Sequence, residues 1–203
     1  MNTLLTAFLL SLSLVTGIGA QNAFLLRQGL LGQHVALVVL ICFVGDLLLM
    51  STGVLGLGNL FSQNRVLTLC LAVAGIAFVL MYGSRALLRA WRPTGILEAA
   101  NVTVAPSRRT VASTALAVSF LNPQGLLETL VIIGSVSASL PAGQKPVFLL
   151  GAVSASALWF LVLGYGARLL RPLFRQQLAW QLLDLGTGVL MLFIAWRMVV
   201  FFF

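Results

Sequence analysis

The run GIGAQNAFLLRQG, Gly17 to Gly29, decides the fold. An apolar stretch that starts at Asn2 reaches two glycines and two amides here, then resumes. Either Ala20 marks a cleavage site and a secreted domain follows, or the segment stays in the bilayer as an interrupted helix. A secretory signal opens with basic residues and has small residues just before the cut. No Lys or Arg precedes Arg27, and Ile18 would occupy the third position before a cut after Ala20. Cleavage would also leave a chain that is still almost wholly apolar. The stretch is therefore expected to remain in the membrane.

Working outward, composition points the same way. Of 203 residues, 60% are hydrophobic and 8% charged, and mean hydropathy is +1.08. A soluble domain carries about a quarter of its residues as charges to make a polar surface, so this is the composition of an integral membrane protein. Runs long enough to span as helices occur near Asn2–Ile18, His34–Leu57, Val66–Leu88, Val111–Leu140, Pro146–Leu170 and Leu178–Phe203. The expected fold is an all-α, multi-pass membrane protein of about six transmembrane helices, in which the first and fourth are interrupted.

One polar segment, Arg92 to Arg109, splits the chain into a first repeat (1–91), a linker (92–109) and a second repeat (110–203) within a single transmembrane domain. The first span of each half has a polar break, GIGAQN and SFLNPQ. The third spans, AGIAFVLMYGSR and GTGVLMLFIAWR, both end in glycines followed by an aromatic and a basic residue. Three spans per half would invert the second half, the plan of many secondary transporters, although apolar helices also resemble each other by composition alone. Arg27, Arg85, Arg89, Arg92, Arg108, Arg109, Arg168, Arg171 and Arg175 follow odd-numbered spans, against Arg65, Lys145 and Arg197 on the other side. Basic loops face the cytoplasm, which places both termini outside if the first stretch crosses fully, and the N-terminus in the cytoplasm if it does not. The same rule accounts for the net charge of +8 without nucleic acid as a partner.

The chain has four acids. Glu98 lies in the linker, whereas Asp46, Glu128 and Asp184 lie in apolar spans. An ionisable group at mid-span costs about 2.5–3.5 kcal/mol on insertion scales, so it usually faces a cavity and has a role. Gln124, Glu128 and Ser135 are spaced to share one helical face with Gly125 beside them. Asp46 shares its face with Cys42, Met50 and Gly53, and Asp184 is near enough to Arg175 for a structural pair. At the breaks, Gly17 and Gly19 relax the backbone and Pro123 removes a donor. Exposed backbone is tolerated at depth where it lines a cavity or is buried in protein. Gln21, Asn22 and Asn122 would add amides there; two ordinary kinks with packing amides would give the same spacing.

Enzyme chemistry is not legible. There is no Walker-type loop for nucleotide, no cofactor motif and no His–acid pair for a metal. His34 sits at a span boundary, and Gly151 with Ala155 reads as a packing surface. Three functions fit: an exporter of a cationic or neutral amino acid, an exporter of a metal cation, or a membrane protein that moves nothing and uses its acids structurally.

AQNAFLLRQGL (residues 20–30), His34, DLLLMSTGVLGLG (46–58) and FLNPQGLLETLVIIGS (120–135) resemble the LysE/ArgO family of basic amino acid exporters along nearly the whole chain. The resemblance implies export of L-lysine or L-arginine across the bacterial inner membrane by proton antiport, often as a homo-oligomer. Asp46 and Glu128 would then bind substrate and protons, with Gln21, Asn22, Asn122 and Gln124 as further substrate contacts. Two departures stand out. Gly19-Ala20 replaces the Gly-Pro usual in the family, and Glu128 and Gln124 stand where Asp and His are usual.

Overall fold

The computed structural model describes residues 2–17, 19–56, 65–91 and 107–202. Among these every regular element is helical. The helices are α1 (Thr3–Val15), α2 (Ala20–Leu31), α3 (Val35–Val54), α4 (Arg65–Trp91), α5 (Arg108–Phe120), α6 (Pro123–Leu126), α7 (Gly134–Ala138), α8 (Lys145–Gly166) and α9 (Gln177–Phe202). A π-helical stretch, Leu127–Ile133, joins α6 to α7. Most of the expected linker, residues 92–106, lies outside the described residues.

Four helices are long and apolar enough to cross a bilayer, and a fifth span is counted if α1 and α2, bent by 78° at the first break, form one. The sequence leads one to expect six. The difference lies in the fourth expected span, Val111–Leu140, which is divided into α5, a turn at Leu121 and Asn122, and the chain from α6 to α7, so that no single piece reaches spanning length. Large apolar side chains such as Leu9, Leu40, Leu48, Leu150, Leu161 and Phe193 face outward. In water these would be a liability; against lipid tails they are the natural exterior.

Without a hydrophobic driving force inside the bilayer, helices associate through close packing at small residues. Gly83 and Gly188 do this reciprocally between α4 and α9. A Cβ on Gly83 would lie 2.8 Å from the Met191 Cβ, and one on Gly188 would lie 2.6 Å from Leu87. α1 lies along α8, where a Cβ on Gly151 would strike the Leu4 carbonyl and Ala7. Gly151 and Ala155 are both buried, as a packing surface requires.

α3 is the central strut, in contact with α2, α5, α8 and the π-helical stretch. Cys42, Asp46, Met50 and Gly53, the face read from the sequence, are all buried. Gly53 brings α3 into backbone contact with the π-helical stretch and α7: its Cβ would lie 2.6 Å from the Thr129 carbonyl, and one on Gly134 would lie 3.2 Å from the Gly53 carbonyl.

The shared face of Gln124, Glu128 and Ser135 does not persist. A π-helix bonds i to i+5 and takes more residues per turn than an α-helix, so α-helical phase is lost between Glu128 and Ser135. Glu128 lines an internal cavity, while Ser135 is exposed. Asp184 also finds structural partners. Its carboxylate accepts from Arg27 Nη1 at 2.8 and 3.1 Å and from Arg89 Nη2 at 3.1 Å, arginines brought in by α2 and α4; the side chain of Arg175, the expected partner, lies outside the described ones.

Candidate functional site

The two breaks face each other across one cavity. It is narrow, about 30 Å³ in volume, and is lined by Gly17, Gly19, Gln21 and Asn22 at the first break and by Asn122, Gly125, Glu128 and Thr129 at the second. Asp46 comes from α3, with Ser11 from α1 and Met50 beyond Asp46. Both mid-span acids thus reach the same space. Of the residues singled out in the sequence, Asp46, Glu128, Gln21, Asn22, Asn122, Gly17 and Gly19 all line it; the side chains of Pro123 and Gln124 lie outside the described ones.

Local chemistry explains each break. α1 stops at Val15, and Gly19 then takes an extended conformation (φ −123°, ψ −179°) as the residue before α2, with no side chain capping the new helix. The last carbonyls of α1 would be orphaned at this depth. Asn22 resolves this: its Nδ2 donates to the Val15 carbonyl at 2.7 Å and the Gly17 carbonyl at 2.6 Å, while its Oδ1 accepts from Trp159 Nε1 at 3.3 Å. At the second break Pro123 is the first residue of α6. A missing N–H costs nothing at that position, and proline keeps the preceding Asn122 out of the helical region. Pro123 therefore begins the second half of the span instead of kinking its middle.

Asp46 is 5% exposed. It accepts from Ser156 Oγ of α8 at 2.7 Å and, more weakly, from Gln21 Nε2 at 3.4 Å. Asn122 is 4% exposed and its Oδ1 has no partner among the described residues. A buried acceptor left unmade costs about 1–3 kcal/mol, so it is poised for a donor that enters the cavity. Near it, α2 presents the uncapped N–H groups of its first turn, the positive end of its macrodipole. The walls are thus of opposite character: carboxylates and a free amide oxygen suit ammonium or guanidinium groups, and the α2 terminus suits a carboxylate.

The sequence did not single out Ser156, Trp159 or Ser11. Ser156 sits in a run of small residues, GAVSASA, whose packing reading hides the one hydroxyl that turns toward an acid. A faint signal existed: Asp46 and Ser156 each lie eleven residues after the first residue of their helices.

The family model described as LysE type translocator matches residues 12–201. The chain is 34% identical over 194 residues to the arginine exporter protein ArgO of Yersinia enterocolitica serotype O:8 / biotype 1B, covering 96% of this chain and 94% of the relative. It is 37% identical over 190 residues to the protein of that name from Klebsiella pneumoniae subsp. pneumoniae, covering 93% and 89%. With that of Salmonella paratyphi A it shares 36% over 191 residues, covering 94% and 90%. No solved structure matches the chain.

Proposed function

The chain belongs to the LysE-type translocator family, and from that premise we propose that it exports L-arginine or L-lysine across the bacterial inner membrane by proton antiport. The observation that carries this reading is the cavity itself, where two interrupted spans and two carboxylates meet. The relatives' printed name supports arginine as cargo. In the bound state the cargo's cationic end lies against Asp46 and Glu128, its α-ammonium donates to Asn122 Oδ1, and its α-carboxylate meets the first turn of α2. Gln21 orients Asp46, Asn22 braces the break beside it, and Gln124 is assigned to the second break on the sequence reading.

Moving one positive charge outward against 100 mV costs about 2.3 kcal/mol. One proton moving inward per cargo cancels that electrical term, and a second would add drive. Asp46 and Glu128 supply two sites that are filled by a cation or by protons in turn.

The proposal includes the inverted repeat, with six spans. Its support is the symmetry of the packing. α1 lies on α8 as α3 lies on the α5-to-α7 span, α3 meets α8, and α4 meets α9. Exchanging the two halves leaves that pattern unchanged. The reciprocal glycines Gly83 and Gly188 and the matched positions of Asp46 and Ser156 fit the same operation. The orientation, with the basic ends cytoplasmic, is supported by their convergence: Arg27 and Arg89 share Asp184, Arg171 Nε bonds the Leu30 carbonyl at 2.9 Å, and Arg108 and Arg168 line one surface hollow.

A metal-ion cargo lacks comparable support, since no three His, Cys, Asp or Glu side chains converge among the described residues. The test is flux of labelled arginine, lysine and neutral amino acids in proteoliposomes under an imposed pH gradient. Gradient-driven flux of the basic amino acids is the expected result. Flux confined to neutral amino acids would remove the cationic cargo, and no flux of any amino acid would overturn export.

A further inference from the structure

A second cavity, of about 430 Å³, opens between α2, α4 and α5 beside Arg27, Arg85 and Arg89. Its lining includes Phe24, Arg27, Gln28, Tyr82, Arg85 and Arg89. Phe24 and Gln28 lie one and two helical turns beyond Gln21 on α2, so this cavity and the central one occupy successive stretches of one helix.

The charges here are one-sided. Arg27 and Arg89 are held by Asp184, while Arg85 is exposed and has no ion-pair partner among the described residues. Three arginines against one aspartate leave two net positive charges around the cavity. Gln28, 5% exposed, also lines the cavity, and its buried Oε1 has no partner among the described residues. This is a poor welcome for a cation as such, but it suits the head group of an amino acid. A guanidinium takes a carboxylate through two parallel hydrogen bonds, and an unpaired amide oxygen takes an α-ammonium.

We propose that this vestibule is a cytoplasmic recognition site for the α-amino acid head group, in which Arg85 binds the α-carboxylate and Gln28 Oε1 the α-ammonium. Resting on the export reading above, it adds an earlier selection step to the head-group contacts of the central cavity. Asp46 and Glu128 attract any cation, and a diamine with two positive charges would satisfy both at least as well as arginine does. The vestibule reverses that preference. Its positive field acts twice on a dication and once on a basic amino acid, and only the amino acid has a carboxylate for Arg85. An arginine at the mouth, outside the central site, therefore adds selectivity against decarboxylated amines.

Uptake into inverted membrane vesicles, whose cytoplasmic face meets the medium, tests this with L-arginine and with agmatine, which is arginine without its α-carboxylate. Wild type should take up arginine and resist competition by agmatine. Arg85→Gln should raise the KM for arginine about tenfold and lower the preference for arginine over agmatine by at least a similar factor. Arg85→Lys keeps the charge and should retain most of that preference, which a packing role for the long stem would not require. Arg85 is exposed, so both variants should fold. An unchanged preference in Arg85→Gln, or an equal KM change when arginine is presented from the periplasmic face, would overturn the assignment while leaving export intact. No wild-type uptake of any amino acid would overturn the export reading and this inference with it.

Discussion

Replacing Asp46 by Asn removes one charge and almost no volume. The fold should survive, because the Asn Oδ1 can still accept from Ser156 Oγ, now at 2.7 Å, and the Gln21 amide can turn its oxygen toward the new NH₂. Function should not survive. A monocation about 4 Å from a carboxylate, at an effective dielectric of about 20, gains roughly 4 kcal/mol. Its loss corresponds to about a thousandfold in affinity. Arginine flux at subsaturating concentration in proteoliposomes should therefore fall to the background of empty liposomes, with incorporation and thermal stability in detergent close to wild type. Asp46→Glu should keep part of the flux. Two results would refute the reasoning. One is a correctly incorporated Asp46→Asn protein that keeps more than about a tenth of wild-type flux. The other is loss of pH-driven flux with normal arginine–arginine exchange, because Asp46 would then carry protons without touching cargo.

Three further predictions follow from the packing around the cavity. Asn22→Ala orphans the Val15 and Gly17 carbonyls and Trp159 Nε1; at about 1–3 kcal/mol for each unsatisfied buried group, the melting temperature in detergent should drop measurably, and an unchanged value would show that the break needs no brace. Gly53→Ala pushes a Cβ into the Thr129 carbonyl; overpacking of this kind costs about 1–3 kcal/mol, and because the displaced stretch carries Glu128, flux should fall although no cavity side chain has changed. Replacing both Arg27 and Arg89 by Gln leaves the Asp184 carboxylate, whose side chain is 9% exposed, buried without a cation, at a cost of order 3–5 kcal/mol; the double variant should be much less stable than either single one, and stability equal to wild type would remove the trio's structural role.

Much of the site was legible in the chain because membranes leave few options. An acid or an amide in a run of leucines has to find polar company, so Asp46, Glu128, Gln21, Asn22 and Asn122 were visible as soon as the spans were marked, and all of them line one cavity. What each does there was not legible. Asn22 commits both amide hydrogens to the break and accepts from Trp159, whereas the Asn122 oxygen has no partner among the described residues. Both are asparagines beside a helix break, and only the path of the neighbouring backbone separates their roles. Ser156 was hidden for the opposite reason, since serine is unremarkable in a small-residue stripe until another helix sets an aspartate against it.

The sequence by itself determined that the chain is a multi-pass membrane protein and that polar breaks fall at Gly17–Asn22 and at Asn122–Gln124, and it led to the expectation that the basic ends gather on one side. Each of these follows from local composition: apolar length, Gly and Pro chemistry, and the excess of arginine at alternate helix ends. The tertiary structure decided the rest. It brought both interruptions to a common cavity, gave Asp184 to Arg27 and Arg89, and placed Ser135 away from Glu128 by inserting a π-helical stretch. The physical reason is that pairing and helical phase depend on which backbone approaches closely enough. Those approaches are set by glycines such as Gly53, whose partner, the Thr129 carbonyl, lies on a different span.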